Sequence, residues 1–155
     1  MITKEQIQNI VEPLIDPKNQ FLVNIAVNPG NKIIVTLDNY KGIGLDECAE
    51  ISKKIELKLD RDKEDFELEV TSPGLTQPFT VIQQYRKYLN KDIEILFKNG
   101  IKISVRLISV HENGIDVETE KTIKPANSKK KQLSIEKQFI EFEDIKSTKI
   151  VLLFK

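Results

Sequence analysis

Glu67-Leu68-Glu69-Val70-Thr71-Ser72-Pro73-Gly74-Leu75 joins an alternating run to a turn signal, and the grammar of the chain changes on either side of it. Phe66, Leu68 and Val70 alternate with Glu67, Glu69 and Thr71, the two-residue period of a half-buried strand. Ser72-Pro73-Gly74-Leu75 predicts a type II turn, because Pro73 presets its own φ and Gly74 accepts the positive φ required next. By itself the segment is equally an ordinary strand-ending turn, since Pro and Gly commonly punctuate a fold.

Upstream, helices and strands mix. Thr3 followed by Gln6 matches a capping box, and Ile7, Ile10, Val11 and Leu14 recur at helical spacing, predicting an amphipathic helix from about residue 4 to 15. Pro13 should kink it or end it early. Phe21, Val23, Ile25 and Val27 alternate, as do Ile33, Val35 and Leu37, and Asn28-Pro29-Gly30-Asn31 between them predicts a hairpin. Gly42 and Gly44 break the chain before a second helix expected to turn Leu45, Cys48, Ile51, Ile55 and Leu59 inward. The order helix, two strands, helix, strand packs most simply as two helices on one face of a three-stranded sheet.

Downstream, Thr80 and Gln83 suggest a second capping box, with Val81, Ile82, Tyr85 and Leu89 on one side of a short connecting helix over 79–90. Only strands follow. Ile93, Ile95 and Phe97 lead into Lys98-Asn99-Gly100; Ile101, Ile103, Val105 and Leu107 lead towards Glu112-Asn113-Gly114; Ile115, Val117 and Thr119 come next. Asn-Gly between alternating runs is a strong hairpin signal. Leu133-Ser134-Ile135 reads as a fourth strand, Phe142 to Ile145 as a tight helical turn, and Lys149 to Phe154 as a closing fifth. The class is therefore α+β: an α-β-β-α-β two-layer domain over 1–78, then a small five-stranded β-barrel over 91–155. Each part has room for its own core but no deep cleft.

Hydrophobic residues make up 39% of the chain and charged residues 31%, a globular composition that favours neither disorder nor a membrane class. No stretch approaches the roughly 18 apolar residues that span a bilayer, and the N-terminal residues show no basic-then-apolar leader, so a cytoplasmic protein is expected. The single cysteine, Cys48, leaves no disulfide framework and no CxxC pair. Formal net charge is zero, yet residues 1–78 hold 9 Lys plus Arg against 14 Asp plus Glu, while 79–155 hold 15 against 10. An acidic half joined to a basic half can orient on a charged partner while the whole stays neutral.

Little here suggests chemistry. His111 stands alone beside a hairpin turn and reads as a solvated loop residue without the orienting partner a general base needs. Cys48 lies on the apolar helix face and reads as core. Gly42 and Gly44 make no phosphate loop, because no Gly-Lys-Ser/Thr follows and no parallel crossover is expected around them. Asp46, Glu47 and Glu50 suit the positive end of their helix dipole. Catalytic residues, cofactor, metal site and small-molecule substrate are accordingly all expected to be absent. Lys129-Lys130-Lys131, within the polar stretch Lys121 to Gln132, reads either as a solvated loop or as a phosphate contact assisted by Lys98, Lys102, Lys121 and Lys124. Small barrels also recognise proteins along an exposed strand edge.

The strand-turn Leu68 to Leu75, the upstream helix Asp46-Glu47-Cys48-Ala49-Glu50-Ile51-Ser52 and the turn Phe142-Glu143-Asp144-Ile145-Lys146 together resemble the bacterial ribosome maturation factor RimP family. The resemblance covers essentially the whole chain in order. It implies a C-terminal barrel of Sm-like or SH3-like type and a non-enzymatic factor that binds the free small (30S) ribosomal subunit and assists its late maturation. Small-subunit ribosomal protein twelve and 16S ribosomal RNA are the implied partners. Ser72, Pro73, Gly74 and Leu75, with Lys98, Lys102, Lys129, Lys130 and Lys131, are the expected contact residues. The family usually places an acidic-basic pair after Ser-Pro-Gly-Leu where this chain has Thr76-Gln77, which points to backbone geometry more than charge at that place. The alternative is a general RNA-binding module whose barrel takes single strands directly.

Overall fold

Thr3 Oγ1 accepts the Gln6 N–H at 3.2 Å while Gln6 Oε1 accepts the Thr3 N–H at 2.8 Å, closing the expected capping box. From it runs α1 (Lys4–Val11), in a computed structural model that describes residues 1–123 and 132–152. Pro13 ends the α-helix as expected: Glu12–Leu14 tighten into a 3-10 turn. The chain divides into two compact units, Met1–Gly74 and Leu75–Lys155.

In the first unit β1 (Gln20–Asn28) pairs antiparallel with β2 (Lys32–Asn39), and α2 (Leu45–Lys58) then leads to β3 (Glu67–Thr71). The sheet order is β1-β2-β3, and β3 runs parallel to β2. The expectation that no parallel crossover surrounds Gly42 and Gly44 is therefore overturned: β2, α2 and β3 form one. Alternation fixes which side chains face the core but carries no strand direction, whereas a helix between two paired strands permits the parallel return. Ile7 and Val11 of α1, Ile51 and Ile55 of α2, and Ile25, Ile33, Val35 and Leu37 of the sheet share one buried cluster. Each such side chain contributes about 1.5–3 kcal/mol by leaving water.

Leu45, expected inward, is 89% exposed. It is the first residue of α2 and stands roughly 90° around the helix from the stripe of Cys48, Ile51 and Ile55. Leu59, just past the helix end, does pack against the core.

In the second unit α3 (Ile82–Lys87) starts one residue later than its sequence suggests. Gln84, not Gln83, reaches back, its Oε1 accepting the N–H groups of Thr80 at 2.6 Å and Val81 at 3.1 Å. Five antiparallel strands follow: β4 (Asp92–Phe97), β5 (Lys102–Val110), β6 (Gly114–Ile123), β7 (Gln132–Glu141) and β8 (Ile145–Ile150), in the order β7-β6-β5-β4-β8. A 3-10 turn, Phe142–Asp144, joins the last two as expected. β7 is longer than Leu133-Ser134-Ile135, and β8 starts four residues before Lys149, pairing from Phe97–Ile145 to Ile93–Ile150. Within β8 lies Thr148, a polar residue only 1% exposed whose hydroxyl meets the buried Tyr85 hydroxyl at 2.6 Å. That pair seats Tyr85 in a core of Ile93, Ile95, Val105, Leu107, Ile115, Val117 and Ile140.

Candidate partner-binding surfaces

Ser72 and Gly74 are exposed, Pro73 is half-buried, and Leu75 is exposed at the start of the second unit. The expected type II turn over these four residues is not formed. The chain turns at Leu75 and Thr76, and the described glycines with positive φ are Gly30, Gly42 and Gly100. Proline biases the residue before it to extended conformations, and its own φ suits an extended path as well as a turn, so Ser72-Pro73 does not by itself fix a turn.

Lys98 and Lys102 are both exposed and share the β4–β5 hairpin end. Its turn is closed by the Gly100 N–H on the Phe97 carbonyl at 3.0 Å, with Gly100 at φ +90°. Lys102 Nζ lies 3.6 Å from Glu94, an exposed ion pair of small energetic weight that salt screens readily. Lys129, Lys130 and Lys131 lie outside the described residues, as does the side chain of Lys121.

One cluster escaped the sequence reading. Asp116 Oδ2 accepts the Ser109 hydroxyl at 2.6 Å and meets His111 Nε2 at 2.6 Å. His111 is exposed in its loop as expected, but Asp116 gives it a partner that the sequence did not suggest. The Ser109 hydroxyl first, and His111 second, hold the Asp116 carboxyl below the usual aspartate range. This is not a nucleophile relay. A relay needs the carboxylate on one imidazole nitrogen and the hydroxyl on the other, whereas here Nε2 faces both, with Ser109 Oγ at 3.5 Å. The signal that could have revealed the cluster is register: Ser109 opposes Asp116 across β5 and β6, a pairing that needs the bulge between Leu107 and Ser109.

Phe139 lies beside this cluster on β7, its ring centroid 5.9 Å from that of His111, and a groove of about 330 Å³ runs between Ile108, Glu118, Lys137 and Phe139. Phe139 also covers Gly114. A Cβ at Gly114 would fall on the Ile140 carbonyl oxygen and 2.6 Å from the Phe139 ring edge, so only glycine fits.

In the first unit Glu47 Oε2 accepts amide N–H groups from Gln20 at 3.0 Å and Asn39 at 3.2 Å, joining the start of α2 to β1 and β2. Gln20 first and Asn39 second lower its pKa. Cys48 is buried, and burial pushes its thiol up, away from reactivity. Among the described residues no cluster of His, Cys, Asp and Glu is placed to hold a metal ion, and no helix is long and apolar enough to cross a membrane.

Residues 10–76 match the family model of the RimP N-terminal domain. The chain is 40% identical over 146 residues to the ribosome maturation factor RimP of Porphyromonas gingivalis, covering 94% of this chain and 96% of that protein. It is 31% identical to the protein of the same name from Flavobacterium psychrophilum, over 99% of this chain and all of the relative, and 30% identical to that of Christiangramia forsetii, over 97% and 99%. With similarity of this extent running through both units, the chain belongs to the ribosome maturation factor RimP family.

Proposed function

We propose that this chain is a non-enzymatic, cytoplasmic assembly factor that binds the free 30S subunit and assists its late maturation. The observation that carries the reading is the nearly full-length similarity to proteins named ribosome maturation factor. The charge partition supports it, because an acidic first half and a basic second half suit a particle that exposes both ribosomal protein and RNA. So does the anchored Ser109-Asp116-His111 cluster, whose geometry stiffens a surface without readying a nucleophile.

In this reading the five strands curl into an Sm-like or SH3-like barrel, in keeping with their order and shared core. The barrel contacts small-subunit ribosomal protein twelve, with 16S ribosomal RNA nearby. Ser72 to Leu75 offer an exposed backbone contact, and Lys98 and Lys102, with Lys129 to Lys131, meet phosphate. Sedimentation of cell extract through a sucrose gradient tests it. The chain should travel with free 30S subunits and leave intact ribosomes nearly bare; equal occupancy of both would refute the proposal. Competition by naked RNA, falling steeply as salt rises, would favour the RNA-binding module instead.

A further inference from the structure

Among the described residues β7 is an edge strand of the five-stranded sheet, and the main-chain groups it does not spend on β6 belong to a defined set of residues. The Phe142 N–H donates to the Asn113 carbonyl at 3.0 Å, and from there the register runs without a shift from Gly114–Glu141 to Ile123–Gln132. Hydrogen-bonded pairs alternate in an antiparallel ladder. The even-numbered residues of β7 therefore bond to β6, and Ile135, Lys137, Phe139 and Glu141 turn N–H and C=O to the open edge. The same residues carry their side chains on the face opposite the buried Ile140, where Ile135 is 57% and Phe139 44% exposed. An open edge with apolar side chains is a template for another strand.

We propose that this edge pairs with the β7 edge of a second copy of the chain, antiparallel and centred on Phe139. A two-fold pairing centred on Lys137 or on Glu136 sets like charges face to face, and one centred on Gln138 sets Lys137 against Phe139. Centring on Phe139 alone opposes Lys137 of each copy to Glu141 of the other, and it stacks the two Phe139 side chains between those ion pairs. The opposed residues in that register are the ones whose main-chain groups are not spent on β6, so each pair exchanges both N–H···O bonds. Lys137 is held only loosely within its own chain, 4.0 Å from Glu118 and 80% exposed, and can turn to the second copy.

Sedimentation equilibrium of the full chain, from low micromolar to near-millimolar concentration, tests this. The average mass should climb from 17.8 kDa towards twice that value. Lys137→Glu and Glu141→Lys each bring like charges together twice and should weaken self-association about tenfold. The double variant K137E/E141K restores opposite charges in this register alone and should recover the wild-type constant. Because Lys137→Glu also faces Glu118, Lys137→Pro gives a second route. It removes an N–H aimed at the open edge, sparing the β6 ladder, and should abolish the dimer. Amide exchange at rising concentration should slow at Lys137, Phe139 and Glu141 and stay unchanged at Gln138 and Ile140. A wild-type mass of one chain throughout, a double variant no tighter than the singles, or a dimer without that alternation would each overturn the proposal.

Discussion

Asn99-Gly100 and Asn113-Gly114 are the same dipeptide in two neighbouring hairpins, and glycine is needed in them for different reasons. Gly100 sits at φ +90°, closing a turn that side chains resist. Gly114 has no such φ; it opens β6 and leaves room for the Ile140 carbonyl and the Phe139 ring. Asn99 Oδ1 accepts the Ile101 N–H at 3.0 Å, whereas the second hairpin is tied by charge, through Asp116. A sequence motif thus names a bend without naming its cause: conformational in one case, steric in the other.

The comparison breaks most sharply at Gly114→Ala, where backbone leaves the new methyl no room. Urea unfolding of the second unit should show a loss of about 3 kcal/mol. Adding Phe139→Ala should return part of that loss by vacating the ring's share of the space. Gly100→Ala should cost less, about 1 kcal/mol, by placing a side chain at positive φ. Gly100→Asn should recover most of it, since asparagine tolerates that conformation, and Phe139→Ala should make no difference there. Asn99→Ala should cost about 0.5 kcal/mol, the low end for an exposed cap, read as a small fall in the denaturation midpoint.

The mildest contrast is in pH. The carboxyl of Asp116 is depressed in the folded chain by Ser109 and then His111, so its contribution is complete above the unfolded value of about 3.9. It is lost as pH falls through the lower folded value. Thermal melts in that acid range should show a slope that Asp116→Asn flattens, whereas Asn99→Ala should leave it unchanged.

Much of this architecture is legible in the residues because local signals and tertiary demands agree. The Thr3–Gln6 box, the helix-ending Pro13 and the stripe of Cys48, Ile51 and Ile55 all stand where periodicity places them. What escaped depends on partners far away in sequence. The parallel return of β3 and the early start of β8 are set by tertiary pairing. Thr148 falls just before the expected closing strand, and its partner Tyr85 is distant in the chain. The surface residues divide likewise. The shared hairpin end of Lys98 and Lys102 follows from local grammar, whereas the expected turn before the exposed Leu75 does not form. The Ser109-Asp116-His111 cluster does not follow from local grammar, because a single bulge decides which side chains meet.

The chain has no tryptophan and three tyrosines, and Tyr85 alone of these is buried. Burial drives its phenol pKa up against the smaller opposing pull of Thr148. In alkali it should resist taking on the ultraviolet absorbance of a phenolate until the second unit opens. The molecule thereby contains an optical gauge of its own C-terminal integrity, usable without a dye or an engineered label.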